Sequence, residues 1–297
     1  MSKTLIGKNG YLFLQNDSAD ELNVHQNNVY KCDPNKLEKM RPYLDKYLLI
    51  VFPNKSYLYR EYLPDNYSMT FRPAFNSYHD FLSPTNRIID GVEVLLSHKD
   101  RENVFYKTDT HLNLFGCMKI YEFFLCKIWD IFNINVDYIP IQVHKRDVDD
   151  LNSLNLGIGD LTWPQNLGDQ VLENKSDSFY ESNDFQSLYL RKTIFESKIK
   201  MLSYKNLEDK TEEFGESIID WNIVSNFIFY NRVNELQNTT QDLKVLIFYD
   251  SFLISTLPLY LNLFRETFMA KSMFDESLVH KINPDIIIEF RVERFLL

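Results

Sequence analysis

Leu246-Ile-Phe-Tyr-Asp-Ser251-Phe252 is the stretch on which the reading of this chain turns. Lys244 to Phe248 is an apolar run of strand length, and from Phe252 to Phe268 apolar residues recur at helical spacing. The pattern predicts a buried strand, a tight turn and a helix. Ser251 then falls on the strand-to-helix turn, a place where a hydroxyl is presented to solvent. Asp250 before it has the character of an N-cap or turn former.

Working outward, further strand-like runs lie at Tyr47 to Phe52, Val104 to Tyr106 and Ile286 to Phe290. Between them the clearest helical pattern is Leu114 to Phe132, with Leu114, Met118, Tyr121, Leu125, Ile128 and Phe132 three or four residues apart. This alternation predicts an α/β fold with a mostly parallel sheet flanked by helices. No Pro/Gly/Ser linker divides residues 1–297, which are read as one domain with a variable insertion or cap over about 169–238. Sites in such folds form beyond the carboxyl ends of strands, where Asp109 and Ser251 are both expected.

The second informative segment is Lys107-Thr-Asp109-Thr-His111-Leu-Asn113. Asp109 and His111 are two residues apart, so an extended backbone would project them to the same side. A serine hydroxyl is a weak nucleophile; a histidine must take its proton and a third group must orient that histidine. Ser251, His111 and Asp109 fit those roles, with the backbone N–H of Ser251 or Phe252 at a helix start as oxyanion donor. Each motif also has an ordinary explanation: Asp-x-His arises by chance, and a Ser after Asp at a helix start is a cap.

The flanks of both segments resemble one family along most of the chain. Gly7-Lys-Asn-Gly-Tyr-Leu-Phe-Leu14 is similar to the "GKdGwLFL" opening of the alginate O-acetyltransferase family (AlgX/AlgJ-like). Tyr47-Leu-Leu-Ile-Val-Phe-Pro-Asn-Lys55 with Tyr59-Arg-Glu-Tyr-Leu-Pro64 resembles its next strand and "PdK..iY.eyLP". Phe105 to Gly116 resembles "TDTHWn..G", Gly159-Asp-Leu161 resembles "GDL", and Leu246 to Phe252 resembles "LlvfgDSF". Asn283-Pro-Asp-Ile-Ile-Ile-Glu-Phe-Arg-Val-Glu-Arg-Phe-Leu296 resembles the closing "kPDvvIeeivER.L". The segments follow the family's order, and the likeness thins out between about Leu172 and Phe229.

The resemblance implies an SGNH-hydrolase-like domain with Ser251, His111 and Asp109 as its catalytic residues. It further implies an O-acetyltransferase that moves an acetyl group through an acetyl-serine onto a hydroxyl of a surface polysaccharide or its precursor. Two alternatives stand beside it: a carbohydrate esterase with the same triad, and a non-catalytic subunit of a polysaccharide-modifying complex. The implied partners are a carbohydrate acceptor, an acetyl donor and other polysaccharide-assembly proteins; no bound cofactor is expected, and a cytoplasmic address would suggest acetyl-CoA as the donor. Two positions depart from the pattern. Tyr249 stands where the family has Gly, and Leu112 replaces its Trp; both are candidates for contact with substrate. Asn166, after the Gly159-Asp160-Leu161 loop, is a candidate helper of the oxyanion hole, with a plain turn as the other reading.

Composition narrows the class. The net charge is -10, from 42 acidic and 32 basic residues, with no dense Lys/Arg run, which argues against nucleic acid as a partner. The start, Met1-Ser-Lys-Thr-Leu-Ile-Gly-Lys8, has no apolar leader segment, and no run reaches the roughly 18 apolar residues of a membrane span. A cytoplasmic address is expected, or an extracytoplasmic one if a leader was trimmed. Cys32, Cys117 and Cys126 lack paired spacing, so free thiols are expected, with Cys117 and Cys126 buried. The histidines other than His111 lack ligand spacing and no metal site is expected. Lys55 and Tyr59 read as residues facing the site or as loop anchors, and Glu293 and Arg294 as an ion pair or a buried turn anchor, a structural role being favoured.

Overall fold

The computed structural model describes residues 2–29, 33–134, 143–148, 159–170, 177–181, 200–203, 227–232 and 242–296. A small antiparallel pair, β1 (Thr4–Ile6) and β2 (Leu12–Leu14), precedes the main sheet. The sheet begins with β3 (Tyr47–Phe52) and β4 (Ile88–Asp90). A further antiparallel pair, β5 (His144–Val148) and β6 (Asp177–Glu181), stands apart from it. The remaining strands are β7 (Lys200–Ser203), β8 (Phe227–Arg232), β9 (Lys244–Phe248), β10 (Glu266–Ala270) and β11 (Ile286–Val292).

The seven-stranded order is β4-β3-β11-β9-β10-β8-β7. Its run from β4 to β10 is parallel, and β8 and β7 continue it antiparallel at one edge. Within the stretch expected to be an insertion, β7 and β8 are thus strands of the central sheet itself; most of that stretch lies outside the described residues.

The central strands are buried on both faces, which explains why their sequences are continuous apolar runs. Alternate residues divide between two cores. Leu48, Ile50, Phe52, Val245, Ile247, Ile288 and Phe290 face the helix Leu114–Phe132 through Cys117, Tyr121, Phe124 and Ile128. Tyr47, Leu49, Val51, Leu246, Phe248 and Ile287 face the helices Pro73–Leu82 and Glu276–Ile282. The long helix has the predicted limits because Asn113 caps it, accepting from Gly116 N, and Asn133 ends it at φ 55°.

Three expectations change. Phe252 to Phe268 is not one helix: a 3-10 turn, Ser251–Thr256, leads to a short helix, Leu257–Leu261, and Glu266–Ala270 is strand β10. Pro258 lies in the first turn of that helix and Thr256 before it is non-helical (φ -120°, ψ 6°), so the two pieces do not merge. β10 is buried on both faces, where an apolar run has no period to tell strand from helix. Val104 to Tyr106 is not a sheet strand; Phe105 makes only an isolated bridge to Leu112. Cys117 is buried as expected, but Cys126 is exposed on the far side of the long helix; Cys32 lies outside the described residues.

Candidate active site

The turn that carries Ser251 follows β9 directly. Asp250 is buried and accepts from two backbone amides, Phe252 N at 2.9 Å and Val292 N at 2.7 Å, so it closes the turn and ties it to the end of β11. Ser251 is left partly exposed at the carboxyl edge of the sheet.

His111 and Asp109 come from a loop that enters the long helix. Asp109 Oδ1 accepts from His111 N at 2.8 Å, a local turn that carries the two side chains onto one side without extended backbone. The same oxygen accepts from His111 Nδ1 at 2.6 Å, and His111 Nε2 lies 3.0 Å from Ser251 Oγ. With the proton on Nδ1, the Nε2 lone pair faces the serine hydroxyl, which donates to it. The sequence thus anticipates the meeting of Asp109, His111 and Ser251, while the local geometry that joins the first two is a turn.

The environment sets the protonation of the pair. Burial works against the Asp109 charge, but His111 and the backbone amides of Asp160 and His111 hold its carboxyl well below the usual carboxylate range. Burial likewise opposes an imidazolium, yet Asp109 and Asp160 raise His111 above the ordinary histidine value, with Arg294 acting the other way. A histidine between a hydroxyl and a carboxylate in this order is the arrangement of a general base.

Other chains brace the loop. Lys55 is buried and its ammonium donates to the carbonyl oxygens of Lys107 and Asp109, so it is a loop anchor. Tyr59 is buried as well, its hydroxyl accepting from Val104 N. Phe252 packs its ring 4.8 Å from that of His111, centroid to centroid, and the Arg294 guanidinium lies 5.2 Å behind Phe252. Arg294 pairs with Glu21, and Glu293 pairs with Arg72, so the two terminal charges do not pair with each other.

Four candidate roles are revised. Phe252 N–H is taken by the Asp250 carboxylate and is not available to an oxyanion; Ser251 N–H has no acceptor among the described residues and is the donor that remains. Asn166 Nδ2 donates to the Asp160 carbonyl oxygen at 2.7 Å, which makes it a loop brace. Tyr249 and Leu112 are both in the core, at 0% and 2% exposure, so neither surface is open to a substrate.

The Gly159-Asp160-Leu161 motif is visible in the sequence, but the reach of the Asp160 side chain to His111 is not. Asp109, His111 and Asp160 each offer a ligand atom within 4.8 Å of the others, a grouping that a cation could share. Here Nδ1 of His111 is engaged by Asp109, and Asp160 accepts from Thr110, so a metal ion would compete with the hydrogen bonds that orient the histidine.

No family model matches the chain, and no curated protein matches it in sequence. Solved structures do match it in fold over nearly its whole length. Bacillus cereus PatB1 has a TM-score of 0.59 at 13% identity, covering 99% of this chain and 96% of that one. A DHHW family protein from Eubacterium siraeum has a TM-score of 0.57 at 14% identity, covering 99% and 94%. The O-acetyltransferase domain of Pseudomonas putida AlgJ has a TM-score of 0.54 at 14% identity, covering 100% and 92%. The likeness read from the motifs is therefore matched by a likeness in fold: this α/β chain, with its mostly parallel central sheet, is similar from end to end to the AlgJ O-acetyltransferase domain.

Proposed function

We propose that this protein is a serine-dependent O-acetyltransferase of SGNH-hydrolase-like type, acting on a hydroxyl of a polysaccharide or its precursor. The observation that carries the reading is the hydrogen-bonded series Asp109 Oδ1 to His111 Nδ1 and His111 Nε2 to Ser251 Oγ, at 2.6 and 3.0 Å. The fold shared with the AlgJ domain supports the reaction class, and the sequence motifs support a carbohydrate acceptor.

In this reading His111 takes the Ser251 proton as Oγ attacks the acetyl carbonyl of a donor such as acetyl-CoA, and Asp109 steadies the imidazolium. Ser251 N–H faces the developing oxyanion. The leaving group departs with the proton from His111, leaving acetyl-Ser251. His111 then draws the proton from the acceptor hydroxyl, which attacks the acetyl group and frees the serine.

The test is mass spectrometry of the protein after exposure to an acetyl donor, followed by addition of an oligosaccharide. An acetyl adduct on Ser251 that moves to the sugar supports transfer. An adduct that yields only acetate points to an esterase, and Ser251→Ala labelled to the same extent as wild type overturns both.

A further inference from the structure

Asp160 is joined to the turn that carries His111 by hydrogen bonds running in both directions. Asp160 N donates to Asp109 Oδ2 at 2.9 Å. In return the Asp160 carboxylate accepts from Thr110 N at 2.8 Å and from Thr110 Oγ1 at 2.6 Å. Leu161 N donates to the Thr108 carbonyl oxygen at 3.2 Å, and Gly159 approaches that same residue so closely that a Cβ would lie 2.3 Å from its carbonyl oxygen. Residues 159–161 and 108–111 are therefore one interlocked unit, in which the residue between Asp109 and His111 is held from outside.

The second carboxylate also faces the imidazole. Asp160 Oδ2 lies 3.9 Å from His111 Nδ1, and the Thr110 hydroxyl that donates to it lies 3.3 Å from the same nitrogen. The other groups around the ring are Asp109 at Nδ1, the Ser251 hydroxyl at Nε2, and Phe252 with the Arg294 guanidinium behind it. Lys55 places its ammonium on the Asp109 carbonyl oxygen.

We propose that Asp160 is a positioning residue for the His111 base: it fixes the turn through Thr110 and Asp109 and sets a second negative charge beside the imidazole. This rests on the functional reading above only for the identity of the reaction. Asp109 alone would orient the ring; Asp160 restrains the residue between the two and shares in stabilising the imidazolium when the serine proton arrives. Its charge raises the His111 proton affinity, against the effect of burial and of Arg294.

The sign of the test follows. Neutral His111 is the base, so the rate rises with pH as the imidazolium loses its proton. Removing the Asp160 charge moves that rise to lower pH. Wild type, Asp160→Asn and Asp160→Glu are compared by two readouts: the pH profile of kcat/KM on 4-nitrophenyl acetate, and an NMR titration of the His111 ring in histidine-labelled protein, assigned against His111→Gln. Asp160→Asn is expected to lower the His111 titration midpoint and the acid limb together. It should also reduce kcat by about tenfold with KM little changed, the loss expected of a mispositioned group. Asp160→Glu should return the midpoint toward wild type. An Asp160→Asn midpoint equal to that of wild type overturns the proposal. Should that variant not fold, Asp160→Ser is read by the same titration. If wild type neither turns over the ester nor is acetylated at Ser251, the functional reading fails, while the titration still decides the role of Asp160.

Discussion

The buried ammonium of Lys55 donates to the carbonyl oxygen of Asp109 at 3.0 Å, so the strand-end turn after β3 holds the loop that carries Asp109 and His111. A second bond, to the Lys107 carbonyl oxygen at 2.7 Å, fixes the loop at two points. The stem passes the rings of Tyr11 and Phe13, with the ammonium 5.8 and 5.6 Å from their centroids. The sequence offers Lys55 as a loop anchor but not its partner, since Lys55 and Asp109 lie on separate elements.

Lys55→Met keeps the length of the stem and removes the donors. The loop then loses both ammonium bonds; the Asp109 carbonyl oxygen gives up its Lys55 donor, while that of Lys107 keeps Leu12 N at 2.9 Å. On an acetyl ester, kcat is expected to fall roughly 10- to 100-fold with a smaller change in KM, as for a misplaced catalytic group. Steady-state kinetics beside a thermal melt checks this; a wild-type kcat would remove Lys55 from the positioning scheme.

The Asp109 and His111 shifts give a pH dependence with a definite sign. His111 is raised, so kcat/KM should climb through a limb above the ordinary histidine value of about 6.5. Asp109→Asn should move that limb to lower pH and cost roughly 10³- to 10⁴-fold in kcat, since the correct tautomer is no longer enforced. Stability should follow the same pair. The lowered Asp109 group contributes above its unfolded value and loses its contribution as pH falls through the folded one. The raised His111 group contributes below its unfolded value and loses its contribution as pH rises through the folded one. Asp109→Asn should therefore lower Tm more at pH 6 than at pH 9. An equal drop at both would argue that the charge pair adds nothing to stability.

Much of this fold is legible in the sequence because its central strands are buried on both faces and its longest helix is capped at both ends. Tyr47–Phe52, Lys244–Phe248 and Leu114–Phe132 have the limits their patterns predict. Glu266–Ala270 does not, because an apolar run inside a sheet carries no period, and short helical pieces upstream complete an apparent helix. Asp109, His111 and Ser251, whose side chains meet, could be named from type and place. Phe252 N–H could not be excluded as an oxyanion donor from sequence, because its use by Asp250 depends on a side-chain rotamer. Asp160 reaches His111 from 49 residues further along the chain, and no local pattern predicts that reach. No helix among the described residues is long and apolar enough to cross a membrane.

Arg72 tests the terminal charge cluster. Its guanidinium, 9% exposed, bridges Asp90 at 2.6 Å and Glu293 at 2.7 Å, joining the end of β4 to the residue after β11. Removing the cation leaves two carboxylates in a buried site without their counter-charge. Arg72→Met should cost about 3 to 5 kcal/mol in stability, the usual consequence of breaking a buried pair from one side. Urea denaturation at neutral pH measures it. A double change, Arg72→Met with Glu293→Gln, should recover part of that loss by removing one of the stranded charges, and failure to recover any would place the cost in packing against Phe75, whose ring centroid lies 3.9 Å from the guanidinium.

Gly159 tests how closely the two loops of the site must approach. Its φ is negative (φ -52°, ψ 144°), so alanine meets little dihedral penalty there. The obstacle is contact: a Cβ would lie 2.3 Å from the Thr108 carbonyl oxygen and 2.5 Å from Thr108 Oγ1. The first of these is backbone and cannot rotate away, so the 159–161 segment has to lift from the 108–111 turn. That movement lengthens the Leu161 N to Thr108 O bond and the Asp160 N to Asp109 Oδ2 bond together. Gly159→Ala should destabilise by about 1 to 3 kcal/mol, the range for overpacking, and should lower kcat on an acetyl ester more than it lowers Tm would suggest. Equilibrium unfolding and kinetics on the same preparation separate the two effects. A variant with wild-type kcat would mean that the His111 turn keeps its geometry without the 159–161 segment pressed against it.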